Sequence, residues 1–61
     1  MSKPTITIED IIAYLEDLAR HRDGMVWYYT KYHDTDEAEK SRKAAAAHRE
    51  AAALLRKGLD E

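Results

Sequence analysis

Apolar residues recur along the first half of the chain with the spacing of one face of an α-helix. When the sequence is written in heptads abcdefg, most a, d and e positions between Ile8 and His33 are apolar or aromatic. These positions hold Ile8, Leu15, Arg22 and Tyr29 at a, Ile11, Leu18, Met25 and Tyr32 at d, and Ile12, Ala19, Val26 and His33 at e. Such a stripe is typical of a helix that packs on a core. Thr7 and Asp10 have capping-box spacing just before it, so the sequence predicts a helix over 8–33.

One dipeptide interrupts this helical pattern. Asp23-Gly24 is a turn signal, and the residues after it favour strands, so a broken helix or a hairpin of strands is an alternative. The apolar stripe passes through Gly24 without losing its phase. We therefore expect a continuous helix, in which Gly24 costs about 1 kcal/mol relative to alanine.

Turn and capping residues follow the first helical pattern. The segment 33–36, His-Asp-Thr-Asp, predicts a short connection in which Asp34 or Thr35 is the N-cap of a second helix. Two helices joined by so short a connection are antiparallel neighbours. The sequence therefore predicts a helical hairpin.

The second helix, predicted over 36–58, is rich in alanine and repeats every seven residues. Gly58 is a residue type that often ends helices. We expect the inner face of this helix to be centred on its a and d positions, with e and g positions on the flanks. The a and d positions hold Ser41, His48 and Leu55, and Ala44, Ala51 and Gly58. The flanks hold Ala38, Ala45, Ala52 and Leu59, and Lys40, Ala47 and Leu54.

Chain length and cysteine content favour association with another chain. A monomer of 61 residues buries only about 60% of its unfolded surface, and the resulting gain nearly cancels the entropy lost on ordering the chain. No cysteine is present to form a disulfide or a thiolate zinc site. We therefore expect a single all-α domain over 1–61, an antiparallel two-helix hairpin that dimerises into a four-helix bundle.

The apolar run 25–29 indicates which residues are expected to contact other molecules. Successive helical residues are about 100° apart, so these side chains point all round the helix, and one neighbouring helix covers only part of them. The residues expected at the interface between copies are Leu18, Arg22, Met25, Tyr28, Tyr29, Tyr32, His48 and Leu55. Trp27, with Tyr14 and Lys31, is the candidate surface for a different protein. Alternatively, Trp27 packs over Lys31 or the loop of its own chain.

Little in the sequence indicates catalysis, a metal or a cofactor. The histidines His21, His33 and His48 lack the H-x-x-x-H and H-E-x-x-H spacings, and no serine lies in a nucleophile motif. We expect His48 to be a hydrogen-bonded core residue. Arg22 is expected to reach a carboxylate, such as Asp23 or Asp17 of a partner chain, or to extend to solvent.

Basic residues cluster on the second helix although the net charge is −2. The candidate nucleic-acid contacts are Arg42, Lys43, Arg49, Arg56 and Lys57. The acidic total and the lack of a recognition motif count against such contacts, and the helix dipole already favours bases near a C-terminus. No secretory signal or membrane span is recognisable, so a cytoplasmic protein without membrane contact is expected.

In its length, its cysteine-free composition and its helical character, the chain resembles the short all-helical accessory proteins encoded in the early regions of temperate lambda-like phages. The resemblance implies a small oligomer that alters host physiology, or the choice between lysis and lysogeny, by binding a host protein. The leading hypothesis is therefore a non-enzymatic interaction or regulatory protein that binds itself and a client protein. Nucleic-acid binding is the alternative, and a passive assembly module is a third hypothesis.

Overall fold

The computed structural model describes residues 5–60 as two α-helices, α1 (Ile8–Lys31) and α2 (Thr35–Asp60), packed against each other. The predicted all-helical hairpin is confirmed, and residues 5–60 contain no strand. Residues 1–4, which belong to the N-terminal stretch searched for a secretory signal, and residue 61 lie outside the described range. Neither helix has a stretch that is both apolar enough and long enough to cross a bilayer.

α1 begins at the predicted capping box. The backbone N–H of Asp10 donates to Thr7 Oγ1, and the backbone N–H of Thr7 donates to Asp10 Oδ2, both at 3.1 Å. These bonds satisfy two backbone N–H groups at the helix start that would otherwise lack partners. The acidic Glu9 and Asp10 also lie at the positive end of the helix dipole.

α1 continues unbroken through Gly24, so the alternatives of a broken helix or a strand hairpin are wrong. Gly24 has no positive φ, and a Cβ added to it would meet no atom within 4 Å. Its backbone freedom is therefore not used for a turn or a close approach. The helical period of the apolar stripe outweighs the local turn signal.

The turn after α1 is a Schellman motif, and it ends the helix before the predicted His33. The N–H of Asp34 donates to the carbonyl of Tyr29 at 2.8 Å, and that of His33 donates to the carbonyl of Thr30 at 3.1 Å. His33 lies in the left-handed region with φ of 61°, the conformation that closes this motif. α1 therefore ends at Lys31, because His33 takes a turn conformation.

Asp34 also begins α2. Its side chain Oδ1 accepts from the N–H of Glu37 at 3.2 Å, and its carbonyl accepts from the N–H of Ala38 at 3.0 Å. Asp34, one of the two predicted candidates, is therefore the N-cap. At the other end, α2 runs through Gly58 to Asp60 instead of stopping at Gly58, which has no positive φ.

The seam where α1 and α2 meet is centred on the e and a positions of both helices. The buried residues are Ile12 and Ala19 on α1, and Ala38, Ser41, Ala45 and Ala52 on α2. The predicted centre at a and d of α2 is wrong, because Ala44 and Ala51 are only half-buried and Gly58 is exposed. Compared with the prediction, α2 is therefore rotated about its own axis, so that its e positions rather than its d positions lie at the seam. In this orientation the helices approach each other through their alanines, and the b positions of the two helices come within reach of each other.

Candidate interaction surfaces

One side of the hairpin, here the ion-paired side, is closed by two ion pairs between b positions. Arg49 forms a fork with Asp23, in which Nη1 donates to Oδ1 at 3.2 Å and Nη2 donates to Oδ2. Arg56 Nη2 donates to Glu16 Oε1 at 3.3 Å. Since the order of Glu16 and Asp23 along α1 is reversed in their partners on α2, these pairs also demonstrate the antiparallel packing.

The Arg49–Asp23 pair shifts the pKa values of both groups in the direction that favours their charged forms. The hydrogen bond from Arg49, helped by its charge, holds the pKa of Asp23 below its ordinary value of 3.8, although desolvation acts in the opposite direction. The hydrogen bond to Asp23 likewise raises the pKa of Arg49 above its ordinary value. The pair is therefore ionised at neutral pH and links the helices without a partner chain.

A shallow pocket of about 280 Å³ lies on the ion-paired side. Its lining comprises Glu16, Arg20, Arg49, Ala52, Ala53 and Arg56. Each of the three guanidinium groups already pairs with a carboxylate of the same chain, Arg20 with Asp17 on α1. An anion entering this pocket would have to compete with those carboxylates.

The opposite side of the hairpin carries the d and g positions of both helices. In two antiparallel helices the same heptad letters lie on the same side of the seam, as the pairing of b with b demonstrates. We call this side the apolar face, and its apolar and aromatic residues are Ile11, Tyr14, Leu18, Met25 and Tyr28 of α1, Tyr32 at the C-cap of α1, and Ala44, Ala47, Ala51 and Leu54 of α2. The remaining d and g positions hold His21, Glu37, Lys40 and Gly58. Tyr14 is 65% exposed and Leu54 is 62% exposed. No neighbouring element of residues 5–60 covers this face, because the domain is a single layer of two helices.

Three tyrosines cluster at the loop end of α1. The rings of Tyr28 and Tyr29 meet edge to face with centroids 5.4 Å apart, and those of Tyr28 and Tyr32 are tilted with centroids 4.8 Å apart. Both geometries are favourable for aromatic pairs. Tyr28 links the half-buried Tyr29 to the exposed Tyr32, so the cluster extends from the seam onto the apolar face.

Trp27 lies outside the apolar face, and the predicted surface of Trp27, Tyr14 and Lys31 is not one patch. Lys31 Nζ lies 5.2 Å from the centroid of the Trp27 ring and 5.9 Å from that of Tyr32. Lys31 does pack on Trp27, as one alternative held, yet Trp27 remains 67% exposed. Tyr14 is roughly 20 Å away along the helix axis and belongs to the apolar face.

The residues predicted for the interface between copies divide into two groups. Leu18, Met25, Tyr28 and Tyr32 lie on the apolar face. Arg22, Tyr29, His48 and Leu55 lie at a positions and are half-buried along the seam of their own hairpin.

Of two polar residues at the seam, Arg22 agrees with one of its two predicted alternatives, whereas His48 differs from expectation. Arg22 Nη1 donates to the sulfur of Met25 at 3.7 Å and is in none of the ion pairs among residues 5–60. The His48 ring is half-buried and makes no hydrogen bond within that range, unlike the predicted hydrogen-bonded core histidine. Because both side chains stay partly exposed, solvent reaches them and no buried polar atom is left unpaired in the described chain.

The candidate nucleic-acid contacts on α2 are partly neutralised within the chain. Arg42 pairs with Glu39, and Arg49 and Arg56 pair across the seam. Lys43 and Lys57 take part in none of the ion pairs of residues 5–60. Phosphate binding by the arginines would therefore require breaking existing pairs.

Comparison of the chain with protein-family models, with curated proteins and with solved structures finds no match.

Sequence reasoning missed two parts of these surfaces. It did not identify Asp23 and Glu16 as partners of the arginines, although both acids share the b position with Arg49 and Arg56. It also assigned Ala44, Ala47 and Ala51 to the hairpin's own inner face. The signal that could have separated them is the pair of tyrosines at g on α1, Tyr14 and Tyr28, because large aromatic side chains at g indicate that the d and g side is largely apolar as well.

Proposed function

We propose that the protein is a non-enzymatic interaction module that pairs through its apolar face into a four-helix dimer and binds a client protein through Trp27 and Lys31. The observation that carries the proposal is an uncovered apolar face that spans both helices. Such a face is unusual on a protein that works as a monomer.

The small size of the hairpin's core supports pairing. Among residues 5–60, the buried side chains are one isoleucine, four alanines and a serine. Alanine contributes little burial energy compared with Leu, Ile or Phe, so this seam alone stabilises the chain weakly. Leu18, Met25 and Tyr28 would add large apolar groups to the core once a second copy covers them.

The exposed area also matches the requirement of a dimer. The chain exposes 5075 Å², whereas a compact monomer of this mass exposes about 4,000 Å². The excess of about 1,000 Å² is close to the roughly 800 Å² that each partner buries in a standard interface. The d positions of α1 and those of α2 from Ala44 onwards carry no charged residue, as is typical of interface cores.

Adjacent alanines of α2 provide a matched test of this proposal. Ala47 lies on the apolar face and Ala46 on the outer surface, and both are exposed in the hairpin. We expect Ala47→Glu to weaken dimerisation at least 100-fold in sedimentation equilibrium, because it buries an unpaired charge at the interface. Ala46→Glu should leave the dimer intact.

The melting temperature of the wild-type protein should also rise with protein concentration, because folding and pairing are coupled. A monomer at all concentrations, or equal behaviour of the two variants, would contradict the proposal.

Trp27 and Lys31 are assigned to the client because they remain accessible outside the apolar face. A stacked lysine holds the indole in place, and tryptophan is enriched among residues that dominate interface energetics. From the resemblance to phage accessory proteins, we propose a host protein as the client. We expect Trp27→Ala to keep the dimer and lose a partner that the wild type retains from host extract. Loss of folding in Trp27→Ala would instead assign the indole to stability.

Nucleic-acid binding is the less favoured function because its arginines are paired within the chain. A salt titration separates the two functions, since binding through several phosphates weakens steeply as salt rises. We expect no such binding, and we expect Lys43→Glu, which breaks none of the ion pairs of residues 5–60, to leave client capture unchanged.

A further inference from the structure

We infer that the two copies pair with their loops at the same end, so that α1 of each copy lies on α2 of the other. This inference rests on the proposed dimer and adds its internal arrangement. The occupant of the apolar face is then a second copy of this chain in one defined orientation.

The two halves of the apolar face differ in side-chain size. α1 contributes Ile, Leu, Met and Tyr side chains together with His21, whereas α2 contributes alanines over 44–51, with Glu37, Lys40 and Leu54 as its large residues on this face. The apolar face is therefore a ridge beside a shallow trough. Two such surfaces fill space best when the ridge of each enters the trough of the other.

Two symmetric arrangements can bring two apolar faces together. A two-fold axis parallel to the helices places α1 on α2 of the partner, with both loops at one end. A two-fold axis across the helices places α1 on α1 and α2 on α2, with the loops at opposite ends. The second arrangement packs tyrosines against tyrosines and leaves space between two rows of alanine, which is costly because voids lose packing contacts.

The ion pairs fix which residues share a level along the hairpin. Arg49 lies level with Asp23, and Arg56 lies level with Glu16. Counting from these pairs puts Met25 level with Ala47, Tyr28 level with Ala44, and Tyr14 level with Gly58.

In the same-end arrangement these levels are retained between copies, because the axis runs along the helices. Each of those large side chains then lies over an alanine or glycine of the partner. The exceptions are the level of Leu18 and Leu54, where two leucines meet, and the level of Tyr32 and Lys40.

Charge by itself favours the opposite-end arrangement. That arrangement would bring the acidic start of α2, including Asp36, towards Arg56 and Lys57 of the other copy. These side chains are exposed, and exposed ion pairs are weak and screened by salt. Side-chain size therefore decides the orientation.

Spin labels on the outer edge of α2 test the arrangement. The chain has no cysteine, so each substitution to cysteine gives a single labelling site. The exposed c positions are Asp36, Lys43, Glu50 and Lys57. We would measure the distance between the two labels of each dimer by pulsed electron resonance, with dilution into unlabelled protein as the control for intermolecular origin.

The same-end arrangement predicts nearly equal distances at all four positions, because both labels move together along the axis. The opposite-end arrangement predicts a minimum near the middle of α2. The axial separation then grows by about 3 Å per residue, to roughly 30 Å at Asp36 and Lys57. Equal distances would support the inference, and a minimum would overturn it while leaving the dimer itself intact. No intermolecular distance, together with a monomer in sedimentation, would overturn both.

Discussion

The ion-paired side and the apolar face are formed by the same two helices, yet they differ in what their side chains contact. On the ion-paired side, Asp23 and Glu16 meet Arg49 and Arg56 within one chain. On the apolar face, tyrosines and leucines meet solvent. The ion-paired side is complete in a single copy, whereas the apolar face gains stability only when another surface covers it. In the proposed dimer, the side that links the two helices of one chain is therefore separate from the side that binds the second copy.

The sharpest test of this comparison uses two neighbouring isoleucines of α1. Ile12 is 4% exposed in the seam, and Ile11 is 39% exposed on the apolar face. We expect Ile12→Ala to lower the unfolding free energy by about 2–4 kcal/mol in denaturant titrations, because it leaves a cavity. Ile11→Ala should cost a similar amount only if the apolar face is buried by a second copy. A small cost at Ile11 would indicate that this face stays in water.

Replacing an alanine by a larger residue distinguishes the buried seam from the outer surface. Ala52 is buried, whereas its neighbour Ala53 is exposed on the ion-paired side. We expect Ala52→Leu to cost about 1–3 kcal/mol, because added methyl groups push the helices apart. Ala53→Leu should change thermal stability little. Equal melting curves for the two variants would mean that the helices do not meet at Ala52.

A substitution at Gly24 can raise the stability of the fold without changing the ion-paired side or the apolar face. A Cβ at this position meets open space, and the backbone is helical. Gly24→Ala should therefore raise the unfolding free energy by about 1 kcal/mol through helix propensity and reduced freedom of the unfolded chain. Sedimentation should find the same oligomeric state. A destabilised variant would contradict a continuous α1.

The smallest effect is expected from acid on the ion-paired side. Asp23 has a lowered pKa in the folded chain, so its pairing stabilises the fold above the unfolded pKa and is lost as the pH falls through the folded pKa. We expect wild-type thermal stability to lose this contribution as the pH falls below about 4.

Asp23→Asn should remove that part of the acid dependence and leave dimerisation at neutral pH unchanged. Arg49→Gln should remove it equally, since the two residues act as a pair. An unchanged acid profile in both variants would exclude the pair as its source.

The local elements of the fold were predictable because their signals lie close together in sequence. The capping box of Thr7 and Asp10 fixes the start of α1, and Asp34 caps α2 as one of two candidates. The end of α1 was not predictable to the residue, because a histidine in the left-handed region carries no strong sequence signal. Gly58 was misjudged as a stop, since a glycine near a helix end can also remain helical.

The orientation of the seam was harder to predict, because it depends on packing between helices. Alanines occupy d, e and g positions of α2, so apolar character alone gives no unique rotation about its axis. The pairing of Arg49 with Asp23 breaks this ambiguity, but it becomes visible only when the helices are placed together. For the same reason, sequence reasoning placed Arg22 and Leu18 in one interface although they face different surfaces.

The turn at His33, unlike either helix, depends for its stability on the packing of α1 against α2. Only Tyr32, His33 and Asp34 separate α1 from α2, and none of them is a glycine or proline. The bonds of the Schellman motif and the Asp34 cap hold this turn, and folding back also buries Ile12 and its alanine neighbours. We therefore expect a substitution that loosens the contact between the helices to favour a straightened chain even where the bonds of the turn are unchanged.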